Sequence, residues 1–596
     1  MPRQQNAAIR LLKLVLPDIR GCRRLCGMNG INDPIDRPPN RLVAILVAAG
    51  VALQWLCQPP LGWWPIAFVA IIPWLMIVRY DDHFEGRDQL IIWLAGLVYW
   101  LLTLQGLRHA HPAIYVGWFA LAAYLSVYGV LFVALSRRMV RLGAPLWVTA
   151  PVVWVGLECV RNYFATGISA AMLGHTLADV PELVQIADLF GSYGVSFVVV
   201  AVNVAVYELI ASRLPFLSTP NAAVSRPTRS RIVAVAAAII WVACTIGYGR
   251  FRLKQTVGEK DLATFALIQR SEVVEFPQGQ KRDVDIFYNY ARQTVTTLES
   301  TSEKIDAVVW PESMFSGGKF WVADPAVAVV PAEFTGNDDE FREWMDYDRQ
   351  EFLVRAADLQ NAFATSNTNN HRPQIIGGCG VIRYAADPQM FSGIVQVDSD
   401  GQVTNWYGKT HRVMLGEHIP ILSSITVLRP YIPLGLRLSK GPGPTNFQVG
   451  QTNVSPNICI ETAVERVPVD HLSQLRQKNA LPDVILTVSN DGWFDNSSVI
   501  DHHLRCAQMV AVGCRRPILS SSNNGPTAWI DSRGQIVQRL ATGTEGAIIA
   551  KPEHDSRVSV YVTIGDWPAR VLAIVCLGLI AVIVKERYLA KRQSKN

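Results

Sequence analysis

The ten cysteines of this chain (22, 26, 57, 159, 244, 379, 459, 506, 514 and 576) form no Cys-x-x-Cys pair, and several lie inside apolar runs. Neither a disulfide framework nor a zinc ribbon is therefore expected. No Gly-x-Ser-x-Gly occurs, so a serine-hydrolase elbow has no support. Internal repeats and low-complexity tracts are also lacking. A signal-peptide core is missing too: the only apolar run of the first 39 residues, Leu11 to Leu16, is broken by Lys13 and stopped by Pro17. The first membrane span is then expected to direct insertion itself. Charge is scarce, since 17% of the residues are charged whereas 50% are hydrophobic. What charge there is concentrates between about residues 255 and 565, which separates a membrane part from a soluble part. The net charge of +6 does not point to nucleic acid, because the basic residues sit mainly in short loops beside apolar runs.

At 596 residues, two or more structural units are expected. Apolar segments long enough to span or nearly span a bilayer occur at roughly 42–58, 62–79, 89–107, 113–136, 145–163, 183–211, 231–249 and 568–585, eight spans in all. The first two are short, are separated only by Gln58-Pro59-Pro60-Leu61, and are equally compatible with a re-entrant hairpin. Arg137, Arg138 and Arg141 follow the fourth span, Arg213, Arg226, Arg229 and Arg231 the sixth, and Lys585, Arg587, Lys591 and Arg592 the eighth. Positive loops stay inside, so both termini are expected in the cytoplasm and the segment between spans seven and eight outside it. The expected organisation is a cytoplasmic N-terminal segment (1–39), a membrane domain of about seven helical spans (40–250), an extracytoplasmic domain (255–565), a C-terminal transmembrane helix (566–586) and a cytoplasmic tail (587–596).

The external segment alternates short β-branched runs with amphipathic stretches. Strands are predicted at Thr264–Gln269, Ala307–Trp310, Gln374–Gly378, Gly393–Asp398, Asn457–Ile460, Val484–Asn490, Ile518–Ser522, Thr527–Asp531 and Ala547–Ala550, and helices over 281–301, 340–364 and 501–513. So many strands imply an α/β domain with two packed sheets covered by helices. Residues 316–340, rich in Gly, Pro and acidic residues, read as a surface excursion.

Three polar residues directly follow apolar strands, where an α/β fold exposes groups to a crevice. They lie in Val308-Val309-Trp310-Pro311-Glu312-Ser313, Trp406-Tyr407-Gly408-Lys409-Thr410-His411 and Asn457-Ile458-Cys459-Ile460-Glu461. A cysteine thiolate is a nucleophile, a glutamate can take its proton and a lysine can stabilise an oxyanion. Singly, each has a bland reading, a buried inert cysteine or a surface charge.

Their order and contexts together carry more. W-P-E-S, then Y-x-K-x-H with G-E following, then C-x-E, then S-N-D-x-W-F resembles the nitrilase superfamily, and within it the apolipoprotein N-acyltransferase family. The spans before the domain, the single span after it and Glu158-x-x-Arg161-x-x-Phe164-x-x-Gly167 favour that branch over soluble amidases. The resemblance implies a polytopic α-helical membrane domain plus an α/β nitrilase-like domain, an α-β-β-α sandwich. It implies Glu312 as general base, Lys409 as oxyanion-stabilising cation and Cys459 as nucleophile, with Glu417 and Glu461 as further acidic site positions. The backbone N–H of Ile460, next after the nucleophile, is a second candidate oxyanion donor. Ser489-Asn490-Asp491-Gly492-Trp493-Phe494 and Ser522-Asn523-Asn524-Gly525 either shape the crevice or are simply turns after strands. The chain departs from the family pattern at Ile460, at Met414-Leu415 and at Gln269-Arg270-Ser271 with Phe276.

The function so implied is acyl transfer from a membrane phospholipid, through a Cys459 thioester, to the amine of a diacylglyceryl-cysteine on an apolipoprotein at the outer face of the inner membrane. No cofactor is needed. A membrane-anchored amidase and a non-enzymatic lipid-binding scaffold are the alternatives. No metal is expected: His502, His503 and Cys506 share a helix with Arg505, and no fourth ligand presents itself. Gly377-Gly378-Cys379-Gly380 is too short for a dinucleotide fingerprint. Glu158 and Arg161 near a span end are costly facing lipid, so they are expected to face each other, water or the bundle interior.

Overall fold

The computed structural model describes residues 40–79, 86–109, 114–211, 228–274, 279–331, 334–366, 370–414, 416–418 and 437–593. Residues 1–39, Phe276 and Leu415 lie outside the described residues.

The membrane half contains α1 (Asn40–Leu56), α2 (Ile72–Arg79), α3 (Gly86–Thr103), α4 (Ile114–Arg141), α5 (Leu146–Tyr163), α6 (Ala187–Ile210) and α7 (Thr228–Lys254). Among the described helices, α4, α6, α7 and the C-terminal Trp567–Gln593 are long and apolar enough to cross a membrane by length and composition. Helices α1, α3 and α5 have 17, 18 and 18 residues. At about 1.5 Å per residue they approach the ~30 Å of a hydrocarbon core. The apolar segment at 62–79 is not one helix: a 3-10 turn over Trp64–Phe68 precedes α2. Asn203 of α6 fills the break, accepting from Ile71 N at 2.9 Å and donating to Ala67 O at 2.8 Å. Interrupted backbone at membrane depth persists where protein groups satisfy it in this way.

Thirteen strands follow in the described residues. The first sheet runs β13 (Gly546–Ala550), β1 (Phe265–Gln269), β2 (Ala307–Trp310), β4 (Gln374–Arg383), β5 (Gln389–Val397), β6 (Val403–Gly408), with β3 (Trp321–Val322) beside β4. The second runs β12 (Ile536–Arg539), β11 (Ala528–Ile530), β10 (Ile518–Asn523), β9 (Val484–Asn490), β8 (Thr452–Ile458), β7 (Phe447–Val449). Strands β1, β2 and β4 are parallel neighbours, as are β8, β9 and β10. Period-two alternation splits each strand between two interiors. Phe265, Leu267 and Val309 of the first sheet meet Val454, Leu486, Val488 and Leu519 of the second. Ala266, Ile268 and Trp310 face outward against α8 (Gln280–Ser300) and α9 (Asp338–Ser366). On the far side Ile485, Ile518 and Ala528 meet α11 (Arg466–Gln477) and α12 (Ser498–Cys514), the turn α10 (Ile460–Ala463) preceding them. The result is an α-β-β-α sandwich.

Three expectations change. The strand over 457–460 ends at Ile458, and Ile460 already begins α10. The stretch 316–340 is not purely an excursion, because Trp321, Val322 and Ala323 are buried and the Arg349 guanidinium lies 4.2 Å over the Trp321 ring. The sequence pattern does not mark the helix α11 or the strands β3, β7 and β12.

The two halves meet through polar contacts, of which those of Glu465 and Arg515 are buried. His175 Nε2 lies 2.5 Å from Glu465 Oε1, which also accepts from Ser192 Oγ at 2.7 Å. Arg505 pairs with Asp179 at 3.1 Å, and Arg515 with Asp188 at 2.7 Å. At Gly191, φ is 62° and a β-carbon would lie 2.5 Å from Tyr561 Cζ, so only glycine permits this approach of α6 to the turn α13 (Val560–Ile564). The last helix, α14 (Trp567–Gln593), returns along α5, with Cys576 against Gly156.

Candidate active site

Glu312, Lys409 and Cys459 each follow the last residue of a strand, β2, β6 and β8 respectively, by one or two positions. Two sheets packed face to face thereby bring together groups that are far apart in sequence. Lys409 Nζ donates to Glu312 Oε1 at 3.2 Å and to Glu417 Oε1 at 2.6 Å. Ser392 Oγ, one strand over on β5, donates to the same Glu312 oxygen at 2.9 Å. Glu417 Oε2 accepts from Val413 N at 2.7 Å, which orients its carboxylate toward the lysine. The glycine run on β4 also has its explanation here: a β-carbon at Gly378 would lie 2.6 Å from Glu312 Cα, so close strand packing, not a nucleotide, needs glycine there.

Lys409 is 2% exposed. Burial alone would lower its pKa, but the charges of Glu312 and Glu417, with the Cys459 thiol nearby, hold it well above the usual value and keep it an ammonium. Glu312 is raised, first by burial, against Lys409 and with the like charge of Glu417. The Cys459 thiol is pushed up to about 12 by burial and by Glu312, opposed by Lys409. The resting site thus holds a protonated thiol beside a carboxylate whose proton affinity is also raised.

Cys459 has φ 47° and ψ −109°, a strained conformation for a residue with a side chain. Its N–H donates to Val488 O at 2.9 Å, tying the turn to β9. Ile460 opens α10, which leaves its N–H among the amides without an intrahelical acceptor. Glu461 is fully buried and faces away from the cluster. It accepts from Tyr407 Oη on both oxygens at 2.8 Å, from the N–H groups of Thr410 at 2.7 Å, His411 at 3.0 Å and Ile458 at 2.8 Å, and from Thr410 Oγ1 at 2.6 Å. It clamps the lysine-bearing loop to the cysteine-bearing one.

The Asn-rich runs do interlock the strand ends. Asp491 accepts from Ser489 Oγ at 2.9 Å and Ser522 Oγ at 2.8 Å, and Asn523 Nδ2 donates to Asn490 Oδ1 at 3.0 Å. His502, His503 and Cys506 do not converge: His503 reaches Cys459 O and Asp491, whereas Cys506 Sγ lies 3.8 Å from His175 Nδ1 of the membrane half. Ser392, Asp491 and His503 were not singled out from sequence as site residues. The sequence offers Asp491 only as part of the Ser489–Phe494 run and His503 only beside His502 and Cys506.

Glu158 and Arg161 line a cavity of about 100 Å³ inside the bundle, together with Gln58, Trp100, Tyr128 and Trp154. Glu158 Oε1 accepts from Trp154 Nε1 at 3.0 Å and Leu173 N at 2.9 Å, and Arg161 lies 5.4 Å over the Trp100 ring. They face the bundle interior, as expected, and the cavity is separate from the carboxylate-lysine-thiol cluster.

An α-β-β-α sandwich with a carboxylate, an ammonium and a thiol at its strand ends defines the carbon-nitrogen hydrolase class. Residues 236–556 match the carbon-nitrogen hydrolase family, and residues 49–205 match the apolipoprotein N-acyltransferase N-terminal domain. The apolipoprotein N-acyltransferase of Rhodopirellula baltica is 42% identical over 575 residues, covering 93% of this chain and 99% of that relative. That of Geobacter metallireducens is 25% identical over 557 residues, covering 92% and 95%. Among solved structures, an amidase from Nesterenkonia sp. superposes with a TM-score of 0.32 at 13% identity, covering 53% of this chain and 98% of that one. The chain belongs to the apolipoprotein N-acyltransferase family and is an acyltransferase of the carbon-nitrogen hydrolase superfamily.

Proposed function

We propose that Cys459 carries an acyl group from a membrane phospholipid to the α-amine of a diacylglyceryl-cysteine at the N-terminus of an apolipoprotein. Glu312 takes the thiol proton as sulfur attacks the phospholipid ester carbonyl. Lys409 Nζ and the Ile460 N–H stabilise the oxyanion. The tetrahedral adduct collapses to a thioester, and the departing lysophospholipid oxygen takes the proton back from Glu312. In the second half-reaction the lipoprotein amine attacks the thioester and Glu312 accepts its proton. The same donors hold the second oxyanion, and sulfur leaves to recover that proton as the thiol. The amide forms at the expense of the ester, so no cofactor enters. Glu417 holds Lys409 in place, and Glu461 keeps the two loops in register.

The observation that carries this reading is the buried Glu312–Lys409–Glu417 cluster, within 3.2 Å hydrogen bonds, with Cys459 in its field. The test is incubation of the purified protein with phospholipid labelled in its acyl chain and no acceptor. A labelled thioester mapping to Cys459 is expected, and release of ammonia from simple amides without lipid labelling would replace the proposal by an amidase.

We further assign the inner membrane as location, with residues 255–565 outside the cytoplasm and the loops after α4 and α14 inside. In support, Arg138 at the end of α4 pairs with Glu586 at the end of α14 at 2.5 Å, so the basic ends of these helices meet. Reporter fusions near residues 220 and 440 should report opposite sides of the membrane, and same-side signals would overturn both topology and substrate.

A further inference from the structure

We infer that His503 is a positioning residue for acyl transfer: by holding the carbonyl oxygen of Cys459 it fixes the Cys459–Ile460 peptide and aims the Ile460 N–H at the oxyanion. This rests on the acyl-transfer reading above and adds a residue that neither the motifs nor the resemblance supplied.

The geometry begins at the strained turn. With φ 47° and ψ −109°, Cys459 occupies a region that persists only when its surroundings over-determine it. Three hydrogen bonds do so. The Cys459 N–H donates to Val488 O at 2.9 Å, Thr462 N donates to Cys459 O at 3.1 Å, and His503 Nε2 lies 3.0 Å from the same oxygen. Thr462 belongs to the same short turn, which its Oγ1 ties to Thr487 Oγ1 of β9 at 2.8 Å. His503 comes from α12 and is the side chain that holds this carbonyl from outside the turn.

The imidazole is itself anchored. Its Nδ1 lies 3.5 Å from Asp491 Oδ1, and Asp491 is fixed by Ser489 Oγ at the end of β9 and Ser522 Oγ at the end of β10. The chain Ser522–Asp491–His503–Cys459 O thus transmits the position of two parallel central strands to one peptide group. Burial would favour the neutral ring, but the hydrogen bond and charge of Asp491, the Cys459 carbonyl and the charge of Glu312 raise the His503 pKa overall. A carbonyl oxygen only accepts, so the Cys459 contact places a proton on Nε2, and Nδ1 faces the Asp491 carboxylate.

Peptide planarity converts this hold into chemistry. In a trans peptide the C=O and N–H are coplanar and point in opposite directions, so a group that fixes the Cys459 oxygen fixes the direction of the Ile460 hydrogen. Donation to the carbonyl also polarises the amide and makes its N–H a stronger donor. Oxyanion donors are worth about 10²–10³ in rate when removed outright. Misaiming one should cost less, about 10–100-fold.

The experiment compares two reactions of the same thiol in the full-length, detergent-solubilised protein. Alkylation of Cys459 by a neutral haloacetamide is a displacement that forms no oxyanion. Acylation by an activated aryl ester, followed by phenolate release, forms one. For His503→Ala and His503→Phe, acylation is expected to fall about 10–100-fold while alkylation, read as the mapped Cys459 adduct, stays within about threefold of the parent. His503→Gln retains an N–H donor and is expected to recover acylation to within about tenfold. An equal fall in both reactions would reduce His503 to a structural role and overturn the inference. So would undiminished acylation in His503→Phe, or a His503→Gln variant no better than His503→Phe. If His503→Ala does not fold, the Gln and Phe variants alone decide the matter. The aryl ester assay does not depend on the natural donor: a parent protein that takes acyl groups from the ester but not from phospholipid would undo the proposed function and leave the His503 result standing.

Discussion

Two buried cations in this molecule are handled in opposite ways. Arg515, fully buried where the halves meet, spends its donors on Asp188 Oδ2 at 2.9 Å through Nε, on Gln185 Oε1 at 2.6 Å through Nη1 and on Gln185 O at 3.1 Å through Nη2. Asp188 is shared with Arg252 at 2.5 Å and with Tyr248 Oη at 2.8 Å, so one carboxylate serves two guanidiniums. Lys409 is buried to nearly the same degree, yet it faces two carboxylates and a thiol. An excess of cation over carboxylate saturates the anion and locks it. An excess of carboxylate over cation leaves one acid with raised proton affinity and a proton donor within reach. The difference between a strut and a reactive centre here is one of stoichiometry added to burial, which is itself the first cause of the raised Glu312 pKa.

The largest effects should come from the reactive cluster. Cys459→Ser conserves volume but substitutes a far weaker nucleophile. It should insert into the membrane yet form no detectable acyl-enzyme, whereas Cys379→Ser, Cys506→Ser and Cys514→Ser should retain acylation. Glu312→Gln keeps the shape and removes the base, so the acylation rate should drop by about 10²–10⁴-fold. Labelled-lipid transfer followed by peptide mapping reads both. A parental rate in either variant would remove that residue from the mechanism.

The strut should respond in stability instead. Arg515→Leu leaves Asp188 buried with one guanidinium in place of two, and breaking a buried pair typically costs about 3–5 kcal/mol. Thermal unfolding of the detergent-solubilised protein should show the loss, while the acylation rate per folded molecule stays at the parental value. If that rate fell together with stability, the division between strut and reactive centre would not hold.

How far the sequence announced this follows the same division. Glu312, Lys409 and Cys459, which the packed sheets bring together, were legible as candidates because each stands at the end of an apolar strand, in a run whose residue types suit the proposed chemistry. The sandwich was legible because short apolar runs such as Phe265–Gln269 and Val484–Asn490, buried along their whole length, need cover on both faces. Long-range polar holds were not. Asn203 closes the break before α2 from more than 130 residues away, and nothing local marks it as doing so. Glu461 was found as an acid, but its partners Tyr407 on β6 and Thr410 and His411 just beyond it belong to the other sheet, so its clamping role emerges only once the sheets are packed. His503 was obscured by a neighbour: the spacing of His502, His503 and Cys506 suggests ligation, and only the helix orientation shows that they turn to different partners.

The smallest expected effect tests the stoichiometry itself. Glu417→Gln removes one negative charge from the Lys409 cluster while keeping a side chain of the same length. In the parent, burial and the charge of Glu417 raise the pKa of Glu312, and Lys409 opposes them. Without the Glu417 charge the like-charge contribution disappears, and the Lys409 ammonium, whose 2.6 Å partner becomes a neutral amide oxygen, has Glu312 as its one remaining carboxylate in the cluster. Both changes lower the Glu312 pKa. Acylation requires ionised Glu312, so the rate rises with pH through that pKa, and the acid limb of the profile should move to lower pH in the variant. The plateau rate should fall by about tenfold, because a lysine drawn onto Glu312 is displaced from the oxyanion. Single-turnover acylation measured across the pH range, on the parent and on Glu417→Gln, reads limb and plateau together. An acid limb that stays in place or moves upward would show that the surplus carboxylate does not set the proton affinity of the base, and the contrast with Arg515 would lose its chemical meaning.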